Sequence, residues 1–158
     1  MKKPEKTNVM RLLDQHKVPY LPHFYGDTGA VSGTEVAAAL GEPPEQVFKT
    51  LVTVGKSGQH YVFVVPVTAE LDLRKAAAAV GEKSVEMIKA KELLPLTGYI
   101  HGGCSPIGMK KLFPTRVDES ARQLERFFVS GGKVGCQIEL APEDLRQLAP
   151  FEFADVTG

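Results

Sequence analysis

The chain has 158 residues, 43% apolar and 24% charged, and its 19 basic and 19 acidic side chains give a formal net charge of zero. This composition fits one soluble globular domain with a substantial core and excludes a disordered chain. It also excludes a protein that grips nucleic acid chiefly through its net charge, because neutralising phosphates takes clustered Lys and Arg; Lys110, Lys111 and Arg116 come nearest to such a cluster.

Residues 1–6 read as a flexible tail without the apolar run of a signal peptide. Thr7 or Asn8 is placed to cap a first helix carrying Val9, Leu12 and Leu13 at helical spacing. In "VPYLPHFYG", Pro19 and Pro22 bar a central strand position. In "SGTEVAAALG", Ser32 and Glu35 have the spacing of a capping box, and Gly41 marks the helix end. "PPEQVF" predicts a single helical turn.

"KTLVTVGKSGQHYVFVVPVT" predicts two strands joined by a Gly-Lys-Ser-Gly turn. "LDLRKAAAAVG" is a helix capped by Asp72 and stopped by Gly81, "SVEMI" a strand, and "AKELLPL" a short helix ended by Pro95. "PTRVDES" and "RFFVSGG" follow as strands around a turn or short helix. The chain closes with a strand "CQIEL", a helix "PEDLRQLA" and a strand "FEFADVT". Interleaved helices and strands, with neither a linker nor a repeat, predict a single α/β or α+β domain over residues 1–158 around one mixed sheet.

The densest chemistry lies in "HGGCSPIGMK", residues 101–110. It is not a nucleotide loop. "GGCSPIG" has Cys104 where a second glycine of G-x-G-x-x-G belongs, and "TLVTVGKS" has Thr50 where a P-loop needs its first glycine. The histidines His16, His23, His60 and His101 lack metal-ligand spacing, so neither a metal nor a cofactor is expected. Two cysteines, Cys104 and Cys136, make no disulfide framework and point to a reducing cytoplasm. No apolar run spans a bilayer.

Cys104 reads as a packing residue rather than a nucleophile, and Ser105 lacks the G-x-S-x-G elbow. The stretch can instead present backbone N–H groups to a carbonyl that becomes an oxyanion, although a tight turn accounts for it too. "VSGGKVG" reads first as a hairpin turn. Lys49, opening an apolar strand, either reaches solvent or sets a fixed cation in a cleft. Glu35, Glu45 and Glu139 are the remaining acid or base candidates, without informative pairing.

The order "VFKTLV", "LDLRKAAAAVG", "GYIHGGCSPIGMKKLFPTRVDES" and "VSGGKVGCQIEL" resembles the YbaK/EbsC family of stand-alone aminoacyl-tRNA deacylases, from about Thr7 onward. The resemblance implies a mixed, partly barrel-like β-sheet surrounded by helices, and an editing site related to the insertion domain of bacterial prolyl-tRNA synthetases. It implies that Lys49, Gly102 and Gly103 do the catalytic work. Tyr25, Ser32, Thr50, Ser105, Ser130 and Gln137 would bind substrate. The implied partners are the 3′ aminoacyl end of tRNA and prolyl-tRNA synthetase, with no membrane and no DNA. The implied reaction removes cysteine from Cys-tRNA(Pro) by attack of the substrate's own thiol on its ester; the alternatives are editing of another small amino acid, such as Ala-tRNA(Pro), and a non-catalytic regulator that binds an aminoacyl-adenosine or a synthetase. Two positions depart from the family pattern: Gln137 replaces an aspartate and Ser32 a phenylalanine, which bears on amino-acid preference.

Overall fold

Side-chain caps set the starts of the first three helices in the computed structural model, which describes residues 6–26, 28–30 and 32–158. Helix α1 (Asn8–Gln15) begins where Thr7 Oγ1 accepts the Met10 N–H, and it buries Val9, Met10 and Leu13. Of the expected tail, residues 1–5 lie outside the described residues; Lys6 is tied to Asp14 by an ion pair of 2.5 Å. Strand β1 (Leu21–Phe24) takes an edge position, as Pro22 requires.

Helix α2 (Gly33–Leu40) has the reciprocal capping box. Ser32 Oγ accepts the Glu35 N–H at 3.2 Å, and Glu35 Oε1 accepts the Ser32 N–H at 3.1 Å. A 3₁₀ turn, Pro44–Gln46, leads into β2 (Phe48–Gly55), which pairs antiparallel with β3 (His60–Pro66) as the predicted hairpin. Asp72 caps α3 (Leu73–Val80) through the Arg74 and Lys75 N–H groups. Then come β4 (Val85–Met87), α4 (Ala90–Thr97), β5 (Thr115–Asp118), β6 (Phe127–Ser130), β7 (Cys136–Leu140), α5 (Pro142–Leu145) and β8 (Phe151–Ala154).

The structure corrects three expectations. Pro95 does not end α4, which runs on to Thr97 and stops when the Gly98 N–H bonds Leu94 O at 2.8 Å. The group that loses its donor to Pro95 is the Lys91 carbonyl, on an exposed residue where water can serve it. The helix at Pro142 is a single turn rather than the full "PEDLRQLA" segment. The strands also form two sheets rather than one: a five-stranded sheet β4-β2-β3-β5-β8 and a three-stranded antiparallel sheet β1-β7-β6. They touch through one bridge, Val47 to Phe128. Pairing does not spread from it toward the N-terminus of β2, where Pro43 and Pro44 lack N–H groups.

The main core lies between the sheets. Phe48, Val52, Val62 and Val64 from the larger one meet Phe127, Val129, Ile138 and Leu140 from the smaller one, with α1 closing an end. Phe48 and Phe127 pack edge to face at 5.1 Å. The opposite face of the larger sheet packs Phe63 and Val65 against Ala76 and Ala77 of α3. Ala37 of α2 covers Val47 and Phe128 at the junction of the sheets. Among the described residues, no helix is long and apolar enough to cross a membrane.

Candidate functional site

The edge of β2 opposite β3 is occupied at both ends, by the bridge from Val47 to Phe128 and by β4 at Thr53–Gly55. Between them the edge is open, and a cavity of about 590 Å³ fills the gap. That size suits a small-molecule group or the end of a larger substrate. The Ile88 N–H donates to Val52 O at 3.3 Å, so strand alternation aims the Thr50 N–H and C=O at the same open edge.

Of the nine residues that the resemblance assigns to the site, seven line this cavity: Tyr25, Ser32, Lys49, Thr50, Gly102, Ser130 and Gln137. They come from both sheets, the start of α2 and the first glycine-rich loop. Lys49 is partly buried and, among the described residues, its side chain makes neither a hydrogen bond nor an ion pair. Among the described residues, Thr50 Oγ1 and Gln137 Oε1 are buried without a hydrogen-bond partner. Leaving a buried polar atom unpaired costs about 1–3 kcal/mol, so two on one cavity wall mark a surface shaped for a ligand's donors. Gln137 lies on the central strand of its sheet, paired with His23 on one side and Ser130 on the other. Ser130 Oγ accepts the Gly132 N–H, and Ser32 Oγ serves its helix cap.

The glycine-rich loop divides differently from its sequence. Gly102 lines the cavity with φ of +88°, and its N–H has no acceptor among the described residues. Cys104 also lines the cavity, and its N–H is likewise without an acceptor. The Gly103 N–H instead closes a turn onto Ile100 O at 3.0 Å, and Gly103 does not line the cavity. A Cβ on Gly103 would sit 3.0 Å from Lys133 Cα and 3.1 Å from Val134 N, so this glycine lets the two glycine-rich loops pack backbone to backbone. Ser105 is fully buried, accepts the Ile107 N–H, and stands away from the cavity.

Burial pushes the Cys104 thiol up to about 12, so it is protonated at neutral pH and a poor nucleophile. Burial also raises Cys136, to about 11, against the opposing charge of Lys133. Glu139, two positions beyond Gln137 on the same strand face, is held by His23 at 2.9 Å and Arg126 at 3.1 Å, so it is a fixed structural carboxylate. Among the described residues, no three His, Cys, Asp or Glu side chains gather into a metal site.

One wall was not legible in the sequence. Met87, Ile88, Lys89, Ala90 and Leu93, from β4 and the start of α4, complete the cavity. The available signal was Met87, an exposed apolar residue followed within two positions by an exposed lysine.

Comparison with known proteins agrees with this architecture. The model of the aminoacyl-tRNA editing domain matches residues 28–148. EbsC of Enterococcus faecalis, named as a proposed Cys-tRNA(Pro)/Cys-tRNA(Cys) deacylase, is 50% identical over 157 residues, 99% of this chain and 96% of that protein. The proline–tRNA ligase of Thermotoga maritima is 35% identical over 101 residues, 61% of this chain but only 16% of the ligase. A crystal structure of a proposed trans-editing enzyme for prolyl tRNA synthetase superposes with a TM-score of 0.82 at 27% identity, covering 95% of this chain and 94% of that one. With the family model matching most of its length, the chain belongs to the aminoacyl-tRNA editing domain family.

Proposed function

We propose that this protein is a trans-editing hydrolase that deacylates mischarged tRNA, with Cys-tRNA(Pro) as its main substrate. The observation that carries the reading is the meeting of Lys49 with the unpartnered Thr50 Oγ1 and Gln137 Oε1 on the wall of one cavity. The name of the E. faecalis relative supports the cysteinyl ester, and the likeness to part of a proline–tRNA ligase supports the prolyl tRNA. The reading extends to action in the cytoplasm and to association with prolyl-tRNA synthetase.

In the proposed reaction the substrate supplies its own nucleophile. The cysteine sulfur attacks the ester carbonyl and forms a C–S bond. The C–O bond to the ribose then breaks, and the ribose oxygen receives the proton the thiol gave up. The amino acid leaves as a cyclic thiolactone. The protein holds the bent conformer that brings sulfur to carbonyl and stabilises the charge that develops on oxygen. Lys49 and the N–H groups of Gly102 and Cys104 are the donors for that oxygen. Thr50 Oγ1 and Gln137 Oε1 accept from the α-ammonium group. This division of labour asks nothing of the protonated Cys104 thiol. Editing is needed because a synthetase pocket separates amino acids that differ by a methylene through only about 1–3 kcal/mol.

The test is hydrolysis of Cys-tRNA(Pro), Ala-tRNA(Pro) and Ser-tRNA(Pro) by the protein and by its Lys49→Ala variant. Release of cysteine alone, lost in the variant, is the expected result. Cleavage of the alanyl ester reassigns the substrate and removes the thiol from the mechanism. A protein that cleaves none of the three is not a deacylase of this kind.

A further inference from the structure

One cavity-lining segment and the segments packed against the 98–103 loop beside the cavity carry lysines that form no ion pair among the described residues. Lys89 lines the cavity itself and is exposed. Lys133 belongs to the segment whose backbone packs against Gly103, next to the cavity-lining Gly102. The Lys110 stem lies along Gly98 at the other end of the 98–103 loop, where its Cγ would be 3.4 Å from a Cβ on that glycine. All three are exposed, and among the described residues none forms an ion pair. The chain from Leu93 to Val117 contains no acidic residue, in a protein whose formal net charge is zero. On the β4–α4 side the nearby carboxylates are Glu86 and Glu92, and Glu92 is engaged with the Lys89 N–H.

These segments and the loop also expose apolar side chains. Met87 lines the cavity, Ile100 precedes the cavity-lining His101, and Val134 lies against Gly102; they are 47%, 57% and 52% exposed. Apolar faces alternating with unpaired lysines match a single-stranded polynucleotide, which needs surface for bases and cations for phosphates. An acidic peptide would use the cations but has no flat rings to lay on these side chains.

We infer that the 98–103 loop, flanked by Lys110 and Lys133, is a track on which the phosphates of the tRNA 3′ strand lie as its charged end enters the cavity. The inference rests on the deacylase reading for the identity of the strand. It assigns tRNA contact to this chain itself, so the tRNA is not held wholly by a synthetase.

The experiment compares the protein with a Lys110→Ala/Lys133→Ala variant, neither residue lining the cavity. Binding of uncharged tRNA(Pro) is measured between 50 and 200 mM salt, conditions in which phosphate contacts dominate the change. The logarithmic salt slope of the variant is expected to be flatter by about 1.4, two contacts at about 0.7 each on a single strand. kcat/KM on Cys-tRNA(Pro) falls about tenfold, while that on 3′-O-cysteinyl-adenosine, which has no phosphate, is unchanged. A Lys110→Arg/Lys133→Arg variant restores both tRNA readouts. An unchanged slope overturns the track, and so does an equal loss on both substrates. A wild-type protein that cleaves neither substrate sinks the deacylase reading, while the binding slope still decides for or against the track.

Discussion

Thr50 Oγ1 and Gln137 Oε1 come from strands of two different sheets, and each is a buried acceptor on the wall of the same cavity without a partner among the described residues. A fold that assembled this wall for stability alone would have placed apolar groups there or paired the two atoms.

Replacing Thr50 with Val removes the hydroxyl at nearly constant volume. If that oxygen serves the substrate, the variant unfolds at equal or higher denaturant, by up to about 1 kcal/mol, since a desolvated group is lost. At the same time kcat/KM for deacylation falls by about tenfold or more. Stability and activity move in opposite directions, which simple damage to the core cannot produce. Chemical denaturation together with single-turnover hydrolysis reads both.

Among the described residues the Lys49 side chain has no ion-pair partner, so its replacement by Ala strands no carboxylate there and costs little stability. Its loss from the reaction is expected to lower kcat by about 100-fold or more, the scale of removing one donor to a developing oxyanion. Lys49→Arg is not expected to restore the rate, because a planar guanidinium cannot replace a compact ammonium in an enclosed space. A full rescue by arginine would reduce Lys49 to a general positive charge.

Much of this architecture was legible locally. The Ser32–Glu35 box, the Asp72 cap, and the hairpin from Lys49 to Thr68 depend on neighbours in sequence. Alternation along β2 puts Phe48 and Val52 in the core between the sheets and Leu51 on the α3 side. What stayed hidden depends on partners far along the chain. The division into two sheets follows from β7 pairing with β1 and β6, a choice no local pattern encodes. Gly102 and Gly103 look alike in sequence, yet one amide is available and its neighbour's is tied to Ile100. The β4–α4 wall carried only a methionine and a lysine as signal, and both are ordinary surface residues elsewhere.

The Cys104 thiol gives a prediction with a definite sign. Its pKa is raised by burial, from 9.0 to about 12 in the folded protein. Its contribution to stability is therefore intact below pH 9 and is lost as pH rises toward 12, because the unfolded chain ionises first. Over that window the wild type should lose stability more steeply than Cys104→Ala, by up to about 1.4 kcal/mol per pH unit. Cys136, also raised by burial, titrates similarly in both proteins and cancels from the comparison. At pH 7 the Cys104→Ala variant keeps its deacylase activity, whereas a protein nucleophile at this position would leave it dead. Denaturation curves at pH 7, 9 and 10.5 and one activity assay supply both tests.

Gly103 distinguishes a donor from a spacer. Were its N–H the catalytic group, Gly103→Ala would retain that N–H and the fold, and activity would change little. In the structure the added methyl would press on Lys133 and Val134 backbone atoms at 3.0 to 3.1 Å, none of which can rotate away. The two glycine-rich loops would have to separate, a strain on the scale of about 1–3 kcal/mol. Because Gly102 and Cys104 share the first of these loops, their N–H groups would move with it. Gly103→Ala is therefore expected to lower both the unfolding midpoint and kcat. An unchanged midpoint together with an unchanged kcat would return the catalytic role to the Gly103 amide itself.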